Sequence, residues 1–172
     1  LIAALQLANS RVLEAMRKDA RLRGMGTTVV ASLLQGDTVS FAHDGDSRAY
    51  LIGDGRIWRM TDDHSWVFEQ VQAGMLTEAE AEKHPLRNVI TRALGGALTI
   101  VPDAREIVAQ IDDTYLLCSD GLTGMITEEE ILVLVTNQSE DLEVACRDLI
   151  DLANERGGLD NITAVLVRSI GD

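Results

Sequence analysis

"YLLCSDGLTGMI", residues 115–126, sets a run of strand-forming apolar residues directly against a carboxylate and a glycine. Asp-Gly is ordinary turn chemistry, so Asp120 alone marks only the place where a buried strand runs out. Two other stretches repeat the arrangement: "FAHDGDSRAYLI" at 41–52 and "GGLDNITAVLVRSI" at 157–170. Each places an Asp beside Gly or Asn at the edge of a strand pattern. The three edges therefore pose one question, which is whether Asp46, Asp120 and Asp160 are turn residues or ligands.

The surrounding pattern decides the fold class. Leu1, Leu5, Val12, Leu13 and Met16 share one helical face, which predicts an amphipathic helix over about 1–20. Four short runs follow, "TTVVASLL", "TVSFAH", "SRAYLI" and "RIWRM", separated by the turn signals "QGD", "DGD" and "GDG". Their spacing predicts an antiparallel meander. From "TDDHSW" the pattern turns helical. One segment over 64–73 stops at Gly74, and a second opens at Thr77 with Glu80 in capping-box relation before Pro85 ends it. Strands are predicted again at 103–111 and 114–119. Two helices come next, the first opened by Thr127 and Glu130 in the same capping relation, and "NITAVLVRSI" is a closing strand. Strands, paired helices and one more strand make a layered α+β arrangement with antiparallel sheets.

Composition narrows the function classes. With 172 residues and 46% hydrophobic content the chain suffices for one domain with a sizeable core. No apolar run reaches the roughly 18–20 residues of a membrane helix, and no basic leader precedes a cleavage site, so a cytoplasmic protein is expected. Fifteen basic against twenty-eight acidic residues give a formal charge of −13, which argues against nucleic acid as a partner. Cys118 and Cys146 fall within a strand and a helix, where small buried thiols are expected rather than a disulfide. Leu1 opens inside a helical pattern, so the chain is expected to be a piece of a longer protein.

Hard cations such as Mg²⁺ and Mn²⁺ bind carboxylate oxygens and keep several waters, so a few aspartates at strand ends suffice to hold them. Soft-metal chemistry has no comparable basis here. His43, His64 and His84 are scattered, and the cysteines lack zinc spacing. His43 is expected to be a packed strand residue and His64 to belong to a turn or helix start. Arg48 suits either a phosphate or a structural ion pair.

The order of the motifs carries a resemblance. "GMGTT" (24–28), "AHDGDSRAYLI" (42–52), "MTDDHS" (60–65), "HPLRNVITRALG" (84–95), "LLCSDGLTGMI" (116–126) and "GGLDNITAVLV" (157–167) together resemble the bacterial metal-dependent Ser/Thr protein phosphatases of type 2C. The resemblance spans nearly the whole chain. It implies a two-sheet antiparallel β-sandwich flanked by helices in αββα layers, N-terminally truncated, with Mn²⁺ or Mg²⁺ at one end, and residues 1–172 as most of a single catalytic domain.

By the same resemblance Asp120 and Asp160 hold the metal centre, Asp46 contributes to a third ion, and Asn161 stands beside the ligands. The excursion over 65–92 corresponds to the family's flap. The implied reaction is hydrolysis of phosphoserine and phosphothreonine on proteins, opposing a Ser/Thr kinase. A phosphate-holding Arg and an Asp-Gly pair whose Asp bridges two metals are expected ahead of Leu1. Residues 1–172 alone are therefore expected to be slow or inactive, and the alternative is a non-catalytic binding or regulatory module on the same fold. Asp44 departs from the family, which has an apolar residue there, and is expected to be a solvated strand-end residue.

Overall fold

The computed structural model describes residues 1–138 and 141–170. Four layers follow from how each element disposes of its apolar face. Helix α1 (Ile2–Lys18) packs Leu5 against Ala42 of a three-stranded sheet, while its buried Asn9 accepts from Gly95 N and donates to Ala97 O. That sheet is ordered β1 (Val29–Gln35), β2 (Thr38–Asp44), β5 (Asp103–Val108), and every pairing in it is antiparallel. The second sheet runs β4 (Arg56–Arg59), β3 (Arg48–Gly53), β6 (Thr114–Cys118), β7 (Ala164–Arg168), again antiparallel throughout. Helices α5 (Glu128–Asn137) and α6 (Leu142–Glu155) cover its outer face.

Strand alternation assigns each residue to its layer. On β2, Val39 and Phe41 face the second sheet, where Phe41 meets Tyr115 of β6 with ring centroids 5.9 Å apart. Ala42, one position on, faces α1. On β3 and β6, Tyr50, Ile52, Leu116 and Cys118 point outward into the α5–α6 layer, while Ala49 and Tyr115 point inward. Thus the sandwich and its flanking helices match the expected architecture. Both capping boxes also form: Thr77 with Glu80 opens α3 (Glu78–Glu82), and Thr127 with Glu130 opens α5. Cys118 and Cys146 are free, as expected.

The meander is corrected. The runs pair as β1–β2 and β3–β4, but β2 and β3 belong to different sheets. The chain changes sheet at Gly45, whose φ of 124° is unfavourable for any side chain and whose added Cβ would lie 2.5 Å from Thr28. A hairpin turn would have kept both strands in one sheet; this crossing instead delivers Asp46 to the end of the sandwich.

Between β4 and β5 the chain makes the helical excursion. Helix α2 (Trp66–Gln72) is capped by Ser65 and followed by α3. The two ends of the excursion meet, because Ser65 bridges Ile90, Trp66 N donates to Val89 O at 2.9 Å, and Thr91 N donates to His64 O at 2.8 Å. The Arg59 guanidinium stands 5.6 Å above the Phe68 ring, and Trp66 packs on His84.

Candidate metal centre

Antiparallel register brings the three aspartates to one end of the second sheet. Arg48 of β3 pairs with Cys118 of β6, and Cys118 pairs with Ala164 of β7. Asp46 lies just ahead of Arg48, Asp120 just beyond Cys118, and Asp160 just ahead of Ala164. Residues that separate widely in sequence therefore occupy the same sheet edge.

Local contacts tighten this arrangement. Asp120 opens the short helix α4 (Asp120–Thr123), where the sequence alone showed a turn. Ser119 is the staple beside it: its Oγ donates to Asn161 O at 2.9 Å and accepts from Thr163 N at 3.0 Å. Gly121 touches the same segment so closely that an added Cβ would lie 2.3 Å from Asn161 O and 3.4 Å from the carbonyl carbon of Asp160. Only glycine permits that approach. Asp160 accepts from the following Asn161 N at 2.7 Å, so it serves as a turn residue while its carboxylate remains at the surface. The turn reading and the ligand reading are thus compatible for one residue.

Electrostatics marks Asp46. Burial, followed by the nearby Asp120 carboxylate, pushes its carboxyl up to about 6. Two carboxylates facing one another at the rim of a sandwich, both hard oxygen donors, suit a divalent cation that relieves their repulsion. Shape gives no such signal. A cleft of about 550 Å³ on the excursion, between Leu76, Lys83 and Pro85, contains none of the three aspartates.

Arg48 resolves to the structural alternative. Its guanidinium holds Asp63 through Nε to Oδ1 at 2.9 Å and Nη2 to Oδ2 at 2.6 Å, and Arg59 Nη2 donates to the same Oδ1 at 2.7 Å. Asp63 was not singled out in the sequence, although it lies within "MTDDHS".

A second polar cluster sits at the end of the first sheet. His43, His64 and Asp103 place one ligand-type atom each within 4.8 Å of one another. Three of the four ring nitrogens are already engaged. His43 Nε2 meets Asp62 O at 2.7 Å, His64 Nδ1 accepts from Gly45 N at 3.0 Å, and His64 Nε2 meets Asp103 at 3.0 Å. The imidazoles stack at 4.6 Å with their planes 12° apart, so their in-plane lone pairs run nearly parallel rather than converging on an ion. Hydrogen bonding accounts for this cluster better than metal binding does.

Asp44 is the clearest departure from expectation. It is 1% exposed rather than solvated, and its Oδ1 accepts from Arg92 Nε at 3.2 Å. Its Oδ2 is buried with no hydrogen-bond partner. Strand parity with Ala42 places Asp44 on the α1 side of the first sheet.

Comparison with known proteins gives this geometry a family. The family model "Protein phosphatase 2C" matches residues 3–69. A putative protein phosphatase 2C-type from Streptococcus pyogenes is 43% identical over 169 residues, covering 98% of this chain and 68% of the relative. The chain belongs to the protein phosphatase 2C family. It spans about two thirds of the length of the curated relatives it matches. The Mycobacterium tuberculosis serine/threonine phosphatase PstP superposes with a TM-score of 0.93 at 37% identity, over 98% of this chain and 71% of that one. The catalytic domain of PstP in complex with two manganese ions superposes with a TM-score of 0.88 at 35% identity, over 99% and 72% of the two chains. Among the described residues, no helix is long and apolar enough to cross a membrane.

Proposed function

We propose that this phosphatase 2C chain takes part in metal-dependent hydrolysis of phosphoserine and phosphothreonine on proteins, with Asp46, Asp120 and Asp160 holding Mn²⁺ or Mg²⁺. The observation that carries the reading is the register that brings the strand ends bearing these three aspartates to one end of the second sheet, with burial and then Asp120 raising the Asp46 carboxyl. The manganese complex of a structural relative supports the choice of ion. When bound, such an ion supplies a deprotonated water and offsets charge on the phosphoryl group.

The chain's own residues have distinct tasks in this reading. Asp120 and Asp160 present exposed carboxylates, held together by Ser119 and by the Gly121 contact with the 160–161 peptide. Asp46 adds a half-buried carboxylate whose ionisation the site disfavours until a cation arrives. Asn161 contributes its backbone to that alignment. The 65–92 excursion acts as the flap beside the site, and residues 1–172 form most of one catalytic domain acting in the cytoplasm against a Ser/Thr kinase.

The test is hydrolysis of a phosphothreonine peptide with Mn²⁺ or with a chelator. It compares residues 1–172 alone with the same chain joined to a segment supplying the expected phosphate-holding Arg and Asp-Gly pair. The joined protein is expected to be active only with metal, and residues 1–172 to be far slower. Hydrolysis that survives the chelator, or full activity from residues 1–172 alone, contradicts the proposal.

A further inference from the structure

Both ends of the helical excursion are tied to the Asp103 carboxylate, and the far end to Asp44 as well. At its start, His64 Nε2 meets Asp103 Oδ2 at 3.0 Å. At its end, Arg92 reaches Asp103 Oδ1 at 3.3 Å through Nη1, reaches Asp44 Oδ1 at 3.2 Å through Nε, and donates to Val101 O. Burial works to raise the Asp103 carboxyl, but the His64 hydrogen bond and the Arg92 charge outweigh it and hold it below the ordinary range. Asp44 and Asp103 come from neighbouring antiparallel strands, so the excursion is fastened to the first sheet.

His64 also reaches the strand end that carries Asp46. Gly45 N donates to His64 Nδ1 at 3.0 Å, and His64 N donates to Gly45 O at 3.0 Å. The ring orientation that makes both contacts is fixed. Because Nδ1 accepts from a backbone N–H, the proton sits on Nε2 and is donated to Asp103. The 3.5 Å approach of Nδ1 to Asp44 Oδ1 is then lone pair against carboxylate, and Arg92 offsets it. Arg92 thus holds Asp103 in place for His64, and His64 holds the residue immediately before Asp46.

We propose that Arg92 and Asp44 are positioning residues that couple the excursion to the Asp46 strand end through Asp103, His64 and Gly45. The link to metal rests on the proposed function above; the mechanical link does not. Outer partners of a metal ligand typically tune affinity 10–100-fold, and this chain of contacts places Arg92 in that role without touching the site.

The test is residue-resolved amide hydrogen exchange on residues 1–172 without metal, wild type against Arg92→Gln, with calorimetric titration of Mn²⁺ alone as a second arm. Exchange at Trp66 and Thr91 is expected to accelerate at least about tenfold, and at Gly45 and His64 with them, while Tyr115 and Leu116 in β6 stay at the wild-type rate. Mn²⁺ affinity should fall about tenfold in the folded variant. Asp44→Asn, nearly isosteric, should move the same amides less and keeps the test decisive if Arg92→Gln does not fold. Acceleration confined to Trp66 and Thr91, or equal acceleration in β6 for both variants, overturns the proposal. Unchanged Mn²⁺ affinity with all four amides accelerated overturns the metal link alone, and no Mn²⁺ binding by the wild type counts against the proposed function instead.

Discussion

Asp46→Asn should stabilise the metal-free chain at neutral pH, because the carboxyl stands at about 6 where an unperturbed Asp stands at 3.8. The folded state therefore holds its proton at pH values where the unfolded chain has already released it. Stability falls as pH rises from about 4 to about 6 and levels off above, the opposite of a salt-bridged Asp. The gap between the two values converts to about 3 kcal/mol as a ceiling. Partial exposure of Asp46 screens the charge, so about 1–2 kcal/mol is the expected size. Urea denaturation in chelator at several pH values between about 3.5 and 7.5 reads it directly. Wild type should lose that amount across the range; Asp46→Asn should lose less and be the more stable protein at pH 7. Added Mn²⁺ should reverse the order, since binding to the folded state favours the chain that keeps its ligand. If Asp46→Asn is no more stable than wild type at pH 7 in chelator, the crowding of Asp46 by burial and Asp120 is not real.

Other perturbations separate the parts of the account. Gly121→Ala forces a Cβ to within 2.3 Å of Asn161 O, so it should push the 160–161 segment away from Asp120 and weaken Mn²⁺ binding about tenfold with every carboxylate intact; calorimetry checks this. Arg92→Ala leaves Asp44 buried without its cation and should cost about 1–3 kcal/mol, whereas adding Asp44→Val to that variant should recover most of the loss by removing the orphan oxygen as well; denaturant midpoints of the double-mutant cycle decide. Leu116→Ala and Leu149→Ala each empty a fully buried position beneath the second sheet and should cost about 2–5 kcal/mol in the same assay.

The α+β architecture was legible because short runs of strand-forming residues are separated by turn signals and both capping boxes are local signals that the fold leaves alone. Crossing between sheets was not, since "DGD" is good hairpin chemistry, and only the packing of Gly45 against Thr28 shows why the chain leaves the first sheet. The three aspartates were legible as strand-edge residues. Their placement at one end of the second sheet needed the register of β3, β6 and β7, which no local pattern encodes. Asp44 was visible as an anomaly, but its partner lies 48 positions away, so burial and pairing with Arg92 could not be read from the surrounding residues. Ser119 and Gly121 were missed for the same reason: their function is contact with residues 160–163, not chemistry of their own.

Anomalous diffraction from a crystal of residues 1–172 grown with Mn²⁺ tests the metal assignment most directly. The account predicts an anomalous peak about 2–2.5 Å from the Asp120 or Asp160 carboxylate, with Asp46 facing it across the same rim. A peak between His43, His64 and Asp103, with none at the three aspartates, would contradict it.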